Sequence, residues 1–228
     1  MIVAVHQPQF MPWLGYLDKM DRADVFVFLD NVQFRKNEFQ NRNRIKTPQG
    51  WQWITVPVNY RFPQMINEVR INNQDNWKKR HIRSIEINYR RSPYFDKYFH
   101  EVLRFYSRDY EYLSEINMES VRMLSRLMGI DTATYRASEI NGLREDQTLR
   151  LVDICRYSKA DRYLSGDGAK GYLDISAFQR EGIEVVFQGF THQVYPQLYG
   201  GFHPFMSAID MLFNCGEESL RILRGERE

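Results

Sequence analysis

Apolar positions along this chain fall into short β-branched runs, separated by longer stretches in which they recur every three or four residues. Ile2 to Val5 is a compact apolar run that reads as a buried strand, and a polar loop opens at His6. After Pro12, the stretch Trp13 to Met20 has helical spacing, and Ala23 to Leu29 reads as a second strand ending at Asp30. This β-loop-α-β unit predicts two parallel strands joined by a right-handed crossover, with His6 and Asp30 on one carboxyl edge, where open parallel sheets gather ligands. Asn31 to Pro48 is strongly polar and basic and reads as a loop. A turn at Pro48-Gln49-Gly50 then leads into an alternating, aromatic strand from Trp51 to Val58.

The middle of the chain is helical in pattern. Asn76 to Arg91 and Tyr94 to Tyr106 are amphipathic and separated by Ser92-Pro93, and Tyr112 to Met128 is closed by Gly129. Strands are predicted at Thr132 to Ala137, Arg162 to Ser165 and Gly182 to Phe187, with helices at Thr148 to Tyr157 and Ser207 to Phe213. The fold expected is α/β and Rossmann-like, a mainly parallel sheet with helices on both faces and a helical middle segment. We read residues 1–228 as a single domain, with 76–129 open between a helical insertion, a subdomain or a lid and plain packing.

Composition narrows the picture. The chain has 228 residues, 43% of them hydrophobic, enough for a substantial core. Lys+Arg 31 against Asp+Glu 29 leaves a formal charge of +2, so no global field points to nucleic acid or an anionic membrane. Cys155 and Cys215 lie in no CxxC or CxxH pair and are expected to be packed, reduced thiols. No basic leader and no spanning apolar window occurs, so the expected setting is the cytoplasm, without membrane insertion.

Candidate chemistry begins with His6-Gln7-Pro8-Gln9-Phe10-Met11-Pro12-Trp13-Leu14-Gly15-Tyr16, where two prolines restrict a loop that carries polar side chains at a strand end. A capping or core role for His6 is the competing reading. Asp30-Asn31 and the following basic segment form a second group, in which Arg42 and Arg44 can clamp a phosphate or carboxylate. A solvated loop competes there. His81, Asn88 and Tyr89 share one helix, with His81 and Asn88 on one face at heptad spacing, a pattern that also suits a buried polar network. The turn Ser165 to Lys170 follows a strand but lacks both the Walker and the GxGxxG patterns, which leaves it a tight turn. Ser207 and Asp210 have the spacing of a capping box with Asp in place of Glu. No GxSxG elbow and no HExxH motif occurs, the five histidines are scattered, and neither a metal site nor a cofactor class is read from the chain.

HQPQFMPWLGYLDKM, FLDNVQF, the W-x3-H-x6-NY pattern from Trp77 to Tyr89, YLSGDGAKGYLD and PFMSAIDMLFNCG together resemble the WbqC-like family of bacterial proteins over nearly the whole chain. The resemblance implies a part in O-antigen or related lipopolysaccharide biosynthesis, hence action on a nucleotide-linked sugar or its precursor. The opening strand, His-bearing loop, helix and strand also look like adenylyl-transferring enzymes such as pantothenate synthetase. Those carry His-x-Gly-His, whereas this chain has Pro8 and Gln9 at the last two positions.

The leading expectation is a transferase that moves an acyl or aminoacyl group onto a nucleotide-linked amino sugar. His6 is the general base and Asp30 its orienting partner, with Gln7, Gln9, Trp13, Asn31, Arg42, Arg44, His81, Asn88, Tyr89, Ser207 and Asp210 as substrate contacts. A nucleotidyltransferase-like enzyme is one alternative. Another is a non-catalytic scaffold that uses an aromatic surface of Tyr94, Phe95, Tyr98, Phe99, Tyr195, Tyr199 and Phe202. Expected partners are a small molecule, an acyl carrier or other protein, and a second copy of the chain. RNA binding is disfavoured by the balanced charge.

Overall fold

The computed structural model describes residues 1–225. In chain order the elements are β1 (Ile2–His6), α1 (Leu14–Asp21), β2 (Val25–Phe28), β3 (Arg42–Thr47), β4 (Gly50–Thr55), β5 (Val58–Asn59), β6 (Arg70–Ile71), α2 (Trp77–Tyr89), α3 (Phe95–Ser107), α4 (Leu113–Met128), β7 (Ala133–Arg136), α5 (Gln147–Tyr157), β8 (Arg162–Ser165), α6 (Ile175–Gln179), β9 (Glu184–Phe187), α7 (Ala208–Cys215) and α8 (Ser219–Arg224). Five strands form a wholly parallel sheet in the order β7-β2-β1-β8-β9. The fold is α/β and Rossmann-like, as the alternation of apolar runs predicts.

Period-two alternation divides the sheet between two cores. Ala4, Phe26, Phe28 and Leu164 face one core, shared with α1, α4 and α7. Val3, Val5, Val27 and Tyr163 face the other, with Val152, Ile154 and Phe178 from α5 and α6. Both faces are covered, which is why these strands read as continuous apolar runs. The helical middle joins the first core through Trp77, Ile85, Val102, Leu113, Val121 and Leu124, so α2 to α4 pack on the same apolar mass as the sheet. Among the described residues no helix is long and apolar enough to cross a membrane.

Three sequence-based expectations are corrected. Residues 42–47, read as loop, form β3, paired antiparallel with β4 through Arg42↔Thr55, Arg44↔Trp53 and Lys46↔Trp51. Alternation was present there, but its inward positions include Asn43, which is fully buried, and a polar residue at an inward position hides a strand. The strand expected from Trp51 to Val58 breaks at Pro57, where β4 gives way to β5. Helices α6 and α8 were not anticipated, and at five and six residues they are too short to show a period.

One buried histidine makes the fold sensitive to acid. His81 is buried, with Nδ1 3.1 Å from the Tyr106 hydroxyl and Nε2 3.1 Å from the Thr55 carbonyl. Burial pushes its imidazole down to about 4, against the smaller upward pull of the Thr55 carbonyl. A depressed histidine contributes stability that is present above its unfolded value of 6.5 and lost as pH falls toward 4. His81→Gln should therefore be less stable than wild type at pH 7, with the gap narrowing as pH is lowered to 4. Denaturant midpoints at a series of pH values measure it, and a gap independent of pH contradicts the assignment.

Candidate functional site

The sheet order reverses at β1: β2 and β7 extend to one side, and the chain then returns to lay β8 and β9 on the other. The crevice between the carboxyl ends of β1 and β8 is thus the topological switch point, where ligands of open parallel sheets collect. The ladder between these strands runs to Ala4↔Leu164. Continued by one and two steps, the register sets Ser165 beside Val5 and Gly166 beside His6.

Carbonyl direction alternates along a strand. The His6 carbonyl accepts from Leu29 N on the β2 side, so the Val5 carbonyl faces β8 and the crevice. Lys19, from α1, reaches in and donates its Nζ to that carbonyl at 2.8 Å. Lys19 is 3% exposed, and this is the one hydrogen bond its ammonium makes among the described residues, although it carries three donors. Burial lowers its pKa to about 7. An ammonium in that state takes up an anion or exchanges a proton near neutral pH.

His6 is the last residue of β1, at the same strand end. Its Nδ1 is 3.0 Å from the Gln7 carbonyl, which can only accept, so Nδ1 holds the ring proton and Nε2 carries a lone pair. Nε2 has no hydrogen-bond partner among the described residues, and the ring packs 4.7 Å from Tyr16. Burial first, then the charge of Lys19, lower the imidazole to about 3, opposed by the Gln7 carbonyl. His6 is therefore an uncharged acceptor at neutral pH.

The loop that follows is buried, yet its backbone has no strand to pair with. Polar side chains from other elements take that place. Asn43 donates to the carbonyls of Phe10 (3.3 Å) and Met11 (2.6 Å), Asn117 to that of Pro8 (3.0 Å), and the Ser120 hydroxyl accepts from Met11 N (2.9 Å). Met11 adopts a left-handed φ of 44°, a cost the surrounding bonds hold in place. Gln7 Oε1 accepts from Gln40 Nε2 at 2.7 Å, whereas the buried Gln9 Oε1 has no partner. Trp13 folds its indole back over Gly15, where any Cβ would overlap the ring. The indole then meets Phe190 (5.5 Å), His192 (5.4 Å) and Phe205 (5.2 Å) from the segment after β9.

The other sequence-predicted residues are placed as follows. Asp30 is buried and accepts from Ser138 N (3.0 Å) and Oγ (2.7 Å), so its carboxylate secures the turn after β7 and makes no bond to His6. The expected orienting pair is corrected on that point: the Gln7 carbonyl, not Asp30, fixes the imidazole. Asn31 is partly buried, with Oδ1 unpartnered. Asn88 donates to the Ser84 carbonyl at 2.8 Å, an intrahelical bond, while His81 turns to Tyr106 and Thr55. Tyr89 donates to Asp210 Oδ1 at 2.8 Å, and Asp210 Oδ2 accepts from Tyr195 (2.7 Å) and Gln197 (2.9 Å). The capping box is corrected too. Ser207 Oγ caps α7 at Ile209 N, but Ser207 N is taken by the Arg44 carbonyl and Asp210 turns into the core.

Arg42 and Arg44 stand apart, on the β3–β4 hairpin. The Arg42 guanidinium lies 4.1 Å from the Trp53 ring centre, and that of Arg44 lies 4.2 Å from Trp51 and 4.8 Å from Trp53. The expected aromatic surface is also corrected, since Phe95, Tyr98 and Tyr195 are buried in the core. Sequence reading missed Lys19 as a site residue, because a lysine in an amphipathic helix reads as solvated. The available signal was its place in the second turn of the helix that follows a His-ended strand. Among the described residues no group of three or more His, Cys, Asp or Glu side chains could hold a metal ion.

A sequence model of the WbqC-like protein family matches residues 7–222. The chain is also similar to "Uncharacterized protein Rv1507c" of Mycobacterium tuberculosis, 36% identical over 226 residues that cover 97% of each chain. No solved structure matches.

Asn43→Ala removes two donated bonds to the loop and the bond that Arg44 N donates to Asn43 Oδ1 (2.7 Å). Because buried partners left unsatisfied cost about 1–3 kcal/mol each, the variant should lose roughly 3 kcal/mol of unfolding free energy. Urea denaturation reads this, and a loss within the ~0.5 kcal/mol typical of surface changes contradicts the role given to Asn43.

Proposed function

The chain belongs to the WbqC-like protein family, and on that premise we propose that it is a transferase of O-antigen-type surface polysaccharide biosynthesis. Its reaction moves an acyl or aminoacyl group onto the nitrogen of a nucleotide-linked amino sugar. The observation that carries this reading is the pairing of an unprotonated His6 Nε2 with the buried Lys19 ammonium at the switch point of the sheet.

The two groups divide the work by charge. The sugar amine attacks the acyl carbonyl carbon, and His6 Nε2 accepts the proton the nitrogen sheds as the new C–N bond forms. Lys19 faces the negative charge that develops on the carbonyl oxygen, in a site from which water is largely excluded. The acyl carbon then releases its leaving group with the bonding electrons, and the proton on His6 passes to that group. A low proton affinity suits the resting state. The imidazole stays uncharged beside Lys19 until negative charge enters the crevice and raises its basicity. Gln7, held by Gln40, and the Ser165–Gly166 turn supply polar contacts around the acceptor sugar.

Purified wild type, His6→Ala and Lys19→Met proteins should be assayed for acylation of nucleotide-linked amino sugars with thioester and aminoacyl donors. His6→Ala is expected to lower kcat by about 100- to 10,000-fold, the range of general base catalysis, with KM changed only a few-fold. Lys19→Met should lower kcat and move the pH profile, since the group with a pKa near 7 is gone. Undiminished turnover by His6→Ala, or no turnover by wild type with any donor, overturns the reading.

A further inference from the structure

Residues 42–55 carry a feature that the crevice chemistry does not use. Register puts Arg42, Arg44, Lys46, Trp51, Trp53 and Thr55 on one face of the β3–β4 hairpin. The contacts order four of them as a ladder in which guanidinium and indole alternate: Arg42, Trp53, Arg44, Trp51. Phe39 extends it, 6.2 Å from Trp53, and Trp51 ends it, 40% exposed and edge-on to Trp53 at 5.4 Å.

Two cations flank one indole, and neither has a carboxylate. Arg42 and Arg44 make no salt bridge and no side-chain hydrogen bond among the described residues. Their Nε atoms are buried without a partner. Neither guanidinium spends its N–H groups on a carboxylate, and a planar guanidinium fork is the group that grips phosphate oxygens in pairs. Like charges held this close repel, and an anion laid across them removes the repulsion.

The opposite face of β3 is committed: Asn43, between the two arginines, holds the Phe10 and Met11 carbonyls of the His6 loop, which anchors the hairpin that carries the ladder.

We propose that the Arg42–Trp53–Arg44–Trp51 ladder is the nucleoside diphosphate subsite, with the diphosphate on the two guanidinium edges and the base stacked on the open face of Trp51. The assignment rests on the nucleotide-sugar reading above and deepens it by stating where the nucleotide lies. Trp51, Trp53 and Phe39 thereby become recognition residues. The charge complementarity favours a doubly anionic ligand with a flat ring over a neutral glycan, which would leave both arginines unpaired.

Calorimetric titration of the full-length protein with nucleoside diphosphates and with inorganic diphosphate tests this, on wild type, Trp51→Ala, Arg42→Gln/Arg44→Gln and Arg42→Lys/Arg44→Lys. The glutamine pair should weaken both ligands at least tenfold and flatten the salt dependence. The lysine pair keeps the charge and loses the planar fork, and should fall between. Trp51→Ala should weaken the nucleoside diphosphates about tenfold, the loss expected of one base stack, and leave inorganic diphosphate unchanged. Each variant's melting curve must remain cooperative, and the exposed Trp51 makes that variant the safest for folding. Equal nucleotide affinity in wild type and the glutamine pair overturns the subsite, as does preference for single-stranded oligonucleotides with a salt slope of several phosphates. His6→Ala separates the two claims. Binding kept and turnover lost supports both. Loss of binding in the ladder variants beside full turnover in His6→Ala sinks the transferase and leaves the subsite standing.

Discussion

The backbone of residues 8–11 is taken out of water where no strand or helix is available to bond it, and the site depends on how that constraint is met. An unpaired buried carbonyl or amide costs as much as a lost hydrogen bond, so a loop of this kind exists only where other elements supply partners. Asn43 from β3, and Asn117 and Ser120 from α4, are those partners. They bring the hairpin and the longest helix against the end of β1. The same bonds anchor the loop that follows His6 and hold Met11 in its left-handed conformation. Packing of the helical middle on the sheet and construction of the site are thus one event.

A second balance sits directly beneath. Lys19 and His6 are both bases whose charged forms are disfavoured by burial, and the charge of Lys19 makes protonation of His6 harder still. Such a pair is stable when at least one member is neutral, and here the imidazole is. The arrangement stores a demand for negative charge at the switch point, the location where parallel sheets recruit ligands through topology alone. Asp30, just past the end of β2 on this edge, is committed to Ser138.

Much of this was legible in the chain. The run Ile2 to Val5, the polar break at His6 and the apolar strand ending at Asp30 sufficed for a parallel sheet with its edge at His6. The amphipathic stretches from Asn76 to Met128 sufficed for α2 to α4. What escaped did so for definable reasons. β3 was hidden because Asn43 occupies an inward position for its amide. Lys19 was hidden because residue type says nothing of a cation's being carried under a strand end. Asp30, His81 and Asp210 were singled out for their chemistry, and they spend it on Ser138, on Tyr106 and Thr55, and on Tyr89, Tyr195 and Gln197. A sequence shows which side chains can act, and tertiary partners decide which are free to do so.

The most direct test of the account is the imidazole nitrogen spectrum of histidine-labelled protein during titration with a nucleotide-linked amino sugar. His6 Nε2 should begin as an unprotonated acceptor and move toward the hydrogen-bonded or protonated position as the ligand saturates, while His81, closed off by Tyr106 and Thr55, stays fixed. Saturable binding that leaves the His6 resonances where they were would contradict a ligand site at the end of β1.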